Sequence, residues 1–274
     1  MIRTIASLKW EFLKYFQSIK IFLIQNLIYK INFLLLMVVP IVVFFFIKYN
    51  LWVSIYEWNS LEIIKGYTLS KMIQYQLGIF LLDLFVRSYF FSHNLSADIR
   101  LGKISAFLLY PFNFLSYQFS KFLSEKILQL LIGCISFGIA IFFNFIQEIS
   151  LMIFLKFFAF VLMINLFWFF TQTLIGLLSF WIEETWSLNV CIRFITAFMS
   201  GAFIPLELYP EWLQNLLFFT PFPYLIYFPV KILTGSPISF FLCFSIISFW
   251  IFVLVITTRL TWKQGLKMYT GAGI

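Results

Sequence analysis

Apolar residues occur along this chain in long runs, and most of the charged residues lie between the runs or before the first one. A helix of about 20 apolar residues matches the hydrocarbon core of a bilayer, which is about 30 Å thick. The pattern therefore predicts six membrane-spanning helices. They cover residues 27–47, 67–91, 115–143, 151–180, 187–204 and 238–258.

The first 23 residues show a different pattern, because their apolar side chains recur at helical spacing while the basic residues fall outside that stripe. The apolar positions are Ile2, Ile5, Leu8, Phe12, Phe16, Ile19 and Leu23, and the basic ones are Arg3, Lys9, Lys14 and Lys20. This predicts an amphipathic helix over residues 1–23, in the plane of the membrane surface. The helix either anchors the chain or offers a docking surface to a cytosolic partner.

The composition agrees with a membrane protein. The chain is 62% hydrophobic and 11% charged, whereas a soluble domain carries about 25% charged residues. We therefore expect an all-α polytopic protein with one transmembrane domain over residues 1–274, its six spans within 27–258 and a cytosolic tail at 259–274. The net charge of +8 indicates membrane topology and no nucleic-acid partner, because the basic residues border apolar runs.

Most of the 19 Lys and Arg residues precede the first span, flank the second connection or follow the last span. Cytosolic loops are rich in Lys and Arg, so both termini are predicted to be cytosolic. The loops 48–66, 144–150 and 205–236 then face outward. The tryptophans Trp52, Trp58 and Trp212 are expected in an aromatic belt at the outer membrane surface.

Motifs for catalysis are absent from the sequence, which contains no G-x-x-x-x-G-K-[ST], H-E-x-x-H, G-x-S-x-G or paired-cysteine motif. We therefore expect no catalytic, cofactor or metal site in the chain. Its one histidine, His93, is interpreted as a polar end of the second span. The three cysteines, Cys134, Cys191 and Cys243, lie in apolar runs and are expected to be buried free thiols.

Some polar residues lie within the predicted spans, where an unpaired charge is costly. Asp83 is either a structural residue with a partner or the proton or sodium site of an ion-coupled carrier. Asn165 and Gln172 are seven residues apart and share a helix face. They either form hydrogen bonds between helices or line a substrate path or a subunit seam.

Two connections carry distinctive sequences. In the second connection, Asp98, Arg100, Gly102 and Lys103 form a short charged segment that suits contact with a soluble protein. The stretch 200–235 contains Pro205, Pro210, Pro221, Pro223 and Pro229. Because proline interrupts helices, this stretch is predicted to form short helical pieces, "PEWLQNLLFF" and then "PYLIYFPVKIL", the second bent at Pro229. They either close a pathway on the outer side or form an interfacial loop rich in aromatic residues.

The chain resembles a permease subunit of a bacterial ATP-binding-cassette exporter of the type-two superfamily. The resemblance covers nearly the whole chain. It is carried by "DIRLGKISAFLLYP", which ends at Pro111, by the proline-rich stretch and by the closing "WKQGLKMYTGAG". It implies that the outer connection before the last span re-enters the bilayer as a helical hairpin, with its prolines at an outer gate.

The same resemblance implies a location in the bacterial inner membrane, in contact with lipid. It implies a separate cytosolic ATPase that binds the ATP and Mg²⁺, and a second permease subunit, identical or related. The segment at Asp98–Lys103 would couple to that ATPase. The weakly charged, aromatic spans favour an amphiphilic cargo such as a drug, a lipid or a peptide. The alternatives are an ion-coupled carrier that uses Asp83 and an assembly factor that transports nothing.

Overall fold

The structure is a computed structural model that describes residues 2–59, 62–87, 91–109, 113–143, 150–236 and 238–269, without the side chains of 2–12, 59 and 108. These residues are almost entirely helical and contain no strand, only an isolated antiparallel bridge between Ile64 and Tyr67. The predicted all-α fold is confirmed. Some predictions lie outside the described residues. They concern Pro111, residues 144–149 of the predicted loop 144–150, and the side chains of the predicted apolar stripe before Leu13.

The chain forms twelve α-helices within the described residues, with 3₁₀ turns at Leu178–Phe180 and Leu206–Leu208. The α-helices are α1 (Ile2–Ile28), α2 (Lys30–Asn59), α3 (Leu69–Val86), α4 (Phe91–Arg100), α5 (Ile104–Leu109), α6 (Phe114–Phe142), α7 (Leu151–Leu177), α8 (Trp186–Met199), α9 (Glu211–Leu217), α10 (Phe222–Leu225), α11 (Tyr227–Leu233) and α12 (Phe240–Met268).

Five helical segments in the described residues are long and apolar enough to cross a membrane, and the predicted fifth span is not among them. At 187–204 the structure has α8, a helix of 14 residues. At 1.5 Å per residue it is about 21 Å long, which is shorter than the hydrocarbon core. The prediction was too long because the helix ends at Met199, before a turn in which Gly201 has a φ of +84°.

Two predicted boundaries also differ from the structure. Helix α2 continues to Asn59, so the predicted outer loop 48–66 is mostly helical. The predicted second span, 67–91, ends as a helix at Val86, where Arg87 has extended backbone angles (φ −63°, ψ 128°). The apolar pattern does not mark these helix ends, because α2 continues through the polar residues Lys48 and Asn50 whereas α3 ends at Val86, within the predicted apolar run.

Helix α7 lies at the centre of the bundle. It is apolar on all sides, as expected for a membrane-spanning helix. Phe157, Phe160 and Ile164 are completely buried in it, and α3, α4, α11 and α12 all pack against it. The outer helices α2 and α12 instead leave most of their apolar side chains exposed or half-buried. These faces are available to lipid or to another membrane subunit.

Helix α1 packs along α6, where the ring centroids of Phe22 and Tyr117 are 5.5 Å apart and Asn26 donates a hydrogen bond to Ser124 at 3.5 Å. The helix predicted for residues 1–23 is therefore present and extends to Ile28. Its C-terminal half contacts the bundle as well as the surroundings.

Three predictions about individual side chains were wrong. Trp52 is 5% exposed and packs with Tyr56, Tyr67 and Met72, so it does not belong to an interfacial belt. Cys134 and Cys191 are exposed. An apolar run does not reveal which of its residues face the protein, because the lipid-facing side is equally apolar.

Candidate functional site

A cavity of about 380 Å³ opens between α2, α3, α7, α8 and the proline-rich stretch. Aromatic and aliphatic side chains form most of its wall, and four charged side chains reach into it. The charged residues are Lys48, Asp83, Arg87 and Arg193, and the aromatic ones are Phe44, Trp168, Phe194 and Phe203. Charged groups inside a membrane protein mark functional sites more often than structural ones, so this cavity is the candidate site.

Two charged cavity residues lie at the C-terminal end of α3: Asp83 on its last turn and Arg87 directly after it. An oxygen of the Asp83 carboxylate lies 3.7 Å from a guanidinium nitrogen of Arg87, four residues later. The Arg87 guanidinium also lies over the ring of Phe44, 5.2 Å from its centroid. Lys48 lies over the ring of Phe203 at 5.4 Å, and such contacts favour a cation at the edge of an apolar wall.

Arg193 extends from α8 into the cavity. Its Nε donates a hydrogen bond of 3.2 Å to the side-chain oxygen of Asn189, one turn earlier. The same oxygen accepts a bond of 3.0 Å from Gln172 of α7. Gln172 is 1% exposed, so it fixes α8 against α7 and positions Arg193 without lining the cavity itself.

The end of α3 is held by a lysine from α6. Lys126 is 2% exposed, and its ammonium group donates to the carbonyl of Val86 at 2.7 Å and to that of Arg87 at 3.3 Å. The last carbonyls of a helix have no partners within the helix and attract a cation. Lys126 therefore fixes the turn that carries the cavity residues Asp83 and Arg87.

The proline-rich stretch packs against the cavity and against α3. Tyr75 donates a hydrogen bond of 2.8 Å to the carbonyl of Gly201, and the backbone N–H of Tyr227 donates to the carbonyl of Ser200 at 3.1 Å. Tyr224 and Val230 are almost completely buried. The stretch is thus part of the protein core, which argues against a simple interfacial loop.

The prolines have distinct positions in this stretch. Each of Pro205, Pro210 and Pro221 immediately precedes a short helix, and Pro223 lies in the first turn of α10. The predicted series of short helices is confirmed. The predicted bend at Pro229 was wrong, because the break lies at Ile226 (φ −134°, ψ −56°). Pro229 occupies the first turn of α11, where the missing N–H costs no helical hydrogen bond.

Beyond the prolines, a salt bridge joins the two arms of this stretch. Lys231 lies 2.6 Å from a carboxylate oxygen of Glu207 and 5.0 Å from the centroid of the Tyr67 ring. Burial alone would raise the pKa of Glu207, but the hydrogen bonds from Lys231 and Tyr227 lower it below its ordinary value. The Glu207 carboxylate is therefore ionised at neutral pH.

The segment Asp98–Lys103 lies at the opposite end of the bundle, which we call the charged end; the end that holds residues 62–68 and 200–236 is the proline end. Lys103 pairs with Asp98 at 3.0 Å, and Arg100 pairs with Glu184 of the α7–α8 connection at 3.1 Å. Gly102, with a φ of +70°, makes the turn into α5.

The end of α12 holds this turn. The Tyr269 hydroxyl donates to the carbonyl of Gly102 at 2.9 Å and lies 2.8 Å from the hydroxyl of Ser105. Next to it, the rings of Trp262 and Phe114 are stacked with centroids 4.2 Å apart. A displacement of the turn would therefore move the end of α12 and, through the stacked rings of Trp262 and Phe114, also the start of α6.

The candidate residues named from the sequence lie in different parts of the structure. Asp83 lines the cavity, whereas Asn165 is buried and donates to the carbonyls of Phe85 and Val161, so it joins helices. His93 is exposed on α4. The sequence did not reveal the cavity role of Lys48, Arg87 and Arg193: the first two counted only toward the topology, and Arg193 was placed only within the predicted fifth span. The position of Arg193 within an apolar run was the available signal.

Chemically, the site is suited to binding. Among the described residues, no three His, Cys, Asp or Glu side chains lie close enough together to hold a metal ion. The cavity offers cations, one carboxylate and aromatic rings. These groups recognise a ligand by charge and apolar contact.

Comparison with known proteins identifies one family. The family described as ABC-2 family transporter protein matches residues 41–273, which is most of the chain. No curated protein and no solved structure matches the chain.

Proposed function

Since this chain belongs to the ABC-2 transporter family, we propose that it is the permease subunit of an exporter that is driven by a separate ATPase. One observation carries the proposal: the charged cavity lies between a packed proline end and a charged end whose turn exposes Leu101. The ATPase partner would bind ATP and Mg²⁺, and this chain would carry the cargo.

The charged end is the proposed contact with the ATPase. Its turn, Leu101–Lys103, projects between two helices and exposes Leu101. Tyr269 and Glu184 link the turn to α12 and to the α7–α8 connection. Movement of a bound ATPase would therefore reach α8, whose Arg193 lines the cavity. A ligand-driven shift needs contacts that differ between two states, and in this proposal the links at Tyr269 and Glu184 would be the contacts that change.

The proposed topology places both termini on the cytosolic side of a bacterial inner membrane. It requires α8 to complete a sixth crossing despite its length. The connection before α8 pairs with Arg100 at the charged end, and the turn after it accepts a hydrogen bond from Tyr75 near the proline end. The α8 segment therefore extends between the two ends, with its turns adding to the length of the helix.

A second permease subunit, identical or related, would complete the pathway. Phe44 of α2 and Phe194 of α8 line the cavity and are 43% and 59% exposed. Direct contact of the charged cavity with lipid would be costly, which favours coverage of its mouth by protein. In this arrangement the prolines of the proline end would close the outer side of the shared pathway.

The test is affinity purification of the tagged chain from its native membrane in mild detergent, followed by mass spectrometry. We expect a soluble ATPase and either a second permease or a dimer of this chain. The matched control is the variant with Arg100→Glu and Lys103→Glu, which should lose the ATPase and retain the permease partner. Recovery of no ATPase with a folded wild-type chain would contradict the proposal.

The second candidate function is an ion-coupled carrier, favoured by the position of Asp83 in the cavity. In that case Asp83→Asn would abolish transport while the protein still folds. The exporter predicts continued ATP-dependent transport in the same variant, because its energy comes from the partner. A proton-gradient uncoupler separates the two further, since it would stop only the carrier directly.

A further inference from the structure

The charges around the cavity are unequal. Three basic side chains, Lys48, Arg87 and Arg193, line it, and among the described lining residues Asp83 is the acid. Asp83 lies near both Lys48 and Arg87. The described lining therefore carries more basic than acidic side chains, and basic groups beside an apolar wall favour a ligand that combines an anionic group with an apolar part.

We infer that the cavity binds an anionic amphiphile, a molecule with a phosphate or carboxylate head and an apolar tail. The inference rests on the proposed function and names the class of cargo or resident ligand at that site. Guanidinium groups bind phosphate and carboxylate through two parallel hydrogen bonds. Arg87 and Arg193, from different helices, approach one cavity and supply such groups.

The apolar part of the wall accounts for the tail. Trp168 forms the inner side, while Phe44 and Phe194 lie at the partly exposed mouth. A volume of about 380 Å³ accommodates a head group with a short length of chain, near the lower limit of small-molecule sites. The remaining tail would leave between α2 and α8 toward the membrane.

The position of Arg193 argues against simple anchoring at the membrane surface. An anchoring lysine or arginine extends toward water at a helix end. Arg193 instead lies in the middle of α8, and its Nε is held by Asn189, which Gln172 positions in turn. A buried polar chain that aims a guanidinium inward fits ligand binding. It also disfavours a cationic cargo, which three basic groups would repel.

The experiment is equilibrium dialysis of two labelled probes against the full chain, with its co-purifying subunits, in phosphatidylcholine nanodiscs. Dodecyl phosphate and dodecyltrimethylammonium share a tail and differ in the sign of the head. We expect dodecyl phosphate to bind at least about ten-fold more tightly, the effect of one or two charge-assisted contacts. Equal affinity for the two probes would overturn the inference.

Variants assign the selectivity to the cavity. Arg193→Gln should weaken dodecyl phosphate binding by about ten-fold, while Arg193→Lys retains most of it. Asp83→Asn should strengthen binding, because it removes the competing carboxylate; a folding defect cannot produce that gain. Arg259→Gln, which changes an exposed arginine of α12, is the control without effect. Unchanged affinity in both cavity variants would overturn the inference.

Binding and ATPase association are separate measurements, so their failures can be told apart. If the ATPase co-purifies but the two probes bind with equal affinity, the proposed exporter function stands and the inferred anionic ligand is ruled out. Native mass spectrometry before and after ATP addition distinguishes a transported cargo from a resident lipid. A co-purified anionic lipid that leaves on ATP addition is cargo, and one that stays is resident lipid; both place an anionic amphiphile in the cavity.

Discussion

The ammonium group of Lys126 donates a 2.7 Å hydrogen bond to the backbone carbonyl of Val86, in a different helix. Gln129, one turn further along α6, accepts another bond from the same ammonium group and donates to the carbonyl of Arg87. Together they satisfy the last carbonyls of α3 and oppose its negative end. The cavity residue Asp83 lies on that last turn, so α6 positions the cavity although it does not line it.

Replacing Lys126 with Met should destabilise the protein by about 1–3 kcal/mol, because buried carbonyls lose their donor. The measurement is the thermal midpoint in one detergent, with size-exclusion chromatography to confirm folding. Lys71→Met, an exposed lysine near the start of α3, is the matched control and should leave the midpoint unchanged. Equal midpoints for the two variants would show that the hydrogen bonds from Lys126 to the end of α3 do not stabilise the protein.

A glycine in α6 allows a close approach to α3. A Cβ atom at Gly133 would lie 2.6 Å from the Phe85 ring, which is completely buried and packs against Phe157. We expect Gly133→Ala to cost about 1–3 kcal/mol through overpacking. Gly138 of the same helix has no neighbour within 4 Å of that position, so Gly138→Ala should be neutral or stabilising by up to about 1 kcal/mol. The thermal midpoints of the two variants, measured together, test both expectations, and equal midpoints would contradict them.

The sequence predicts the long helices well because apolar composition over 20 residues is a strong signal. It predicts their contacts poorly. The roles of Lys126 and Gln129 cannot be predicted from the sequence, because their partners are backbone carbonyls that carry no sequence signature. The close approach at Gly133 is equally invisible, because any of the bundle's glycines is compatible with a helix.

The cavity shows the same limit. Asp83 was recognisable as an acid in an apolar run, but its neighbours Lys48 and Arg193 come from distant parts of the chain. Which cations face one another depends on how α2 and α8 pack, and that packing rests on contacts such as Gln172 with Asn189. The local sequence pattern does not specify how these helices pack against each other.

The proline end should lose stability at acid pH through Glu207. Folding lowers the pKa of this carboxyl group, so the Glu207–Lys231 pair stabilises the fold at pH values above 4.5, the ordinary pKa of the group. That contribution is lost as the pH falls through the lower pKa in the folded state. Midpoints measured from pH 7 to pH 3 should fall less steeply for Glu207→Gln than for the wild type. Parallel curves would contradict the assignment.

Removing one hydroxyl should loosen the turn at the charged end. Tyr269→Phe loses the hydrogen bonds to Gly102 and Ser105 and keeps the ring contact with Phe180. A net loss of about 1 kcal/mol corresponds to roughly five-fold faster amide hydrogen exchange at residues 101–106. Tyr49→Phe, at an exposed position of α2, is the control. An unchanged exchange rate would show that the hydroxyl does not hold the turn.

The last prediction separates two roles of Arg100. Its ion pair with Glu184 is 3.1 Å long, with side chains 35% and 66% exposed, so reversing its charge should change stability by less than about 1 kcal/mol. Arg100→Glu should nevertheless reduce recovery of the ATPase, because the turn is the proposed docking surface. Lys71→Glu, at the proline end, should leave recovery intact.

The double variant with Arg100→Glu and Glu184→Arg restores an ion pair of reversed sign between α4 and the α7–α8 connection. If the pair acts only by holding these segments together, the double variant should regain the ATPase. We expect it to regain the wild-type midpoint but not the ATPase, since an ATPase surface matched to a cation at position 100 would meet a carboxylate. Full recovery of the ATPase would reduce Arg100 to a structural role and move the docking surface to other residues of the charged end, with Lys103 and the exposed Leu101 next to test.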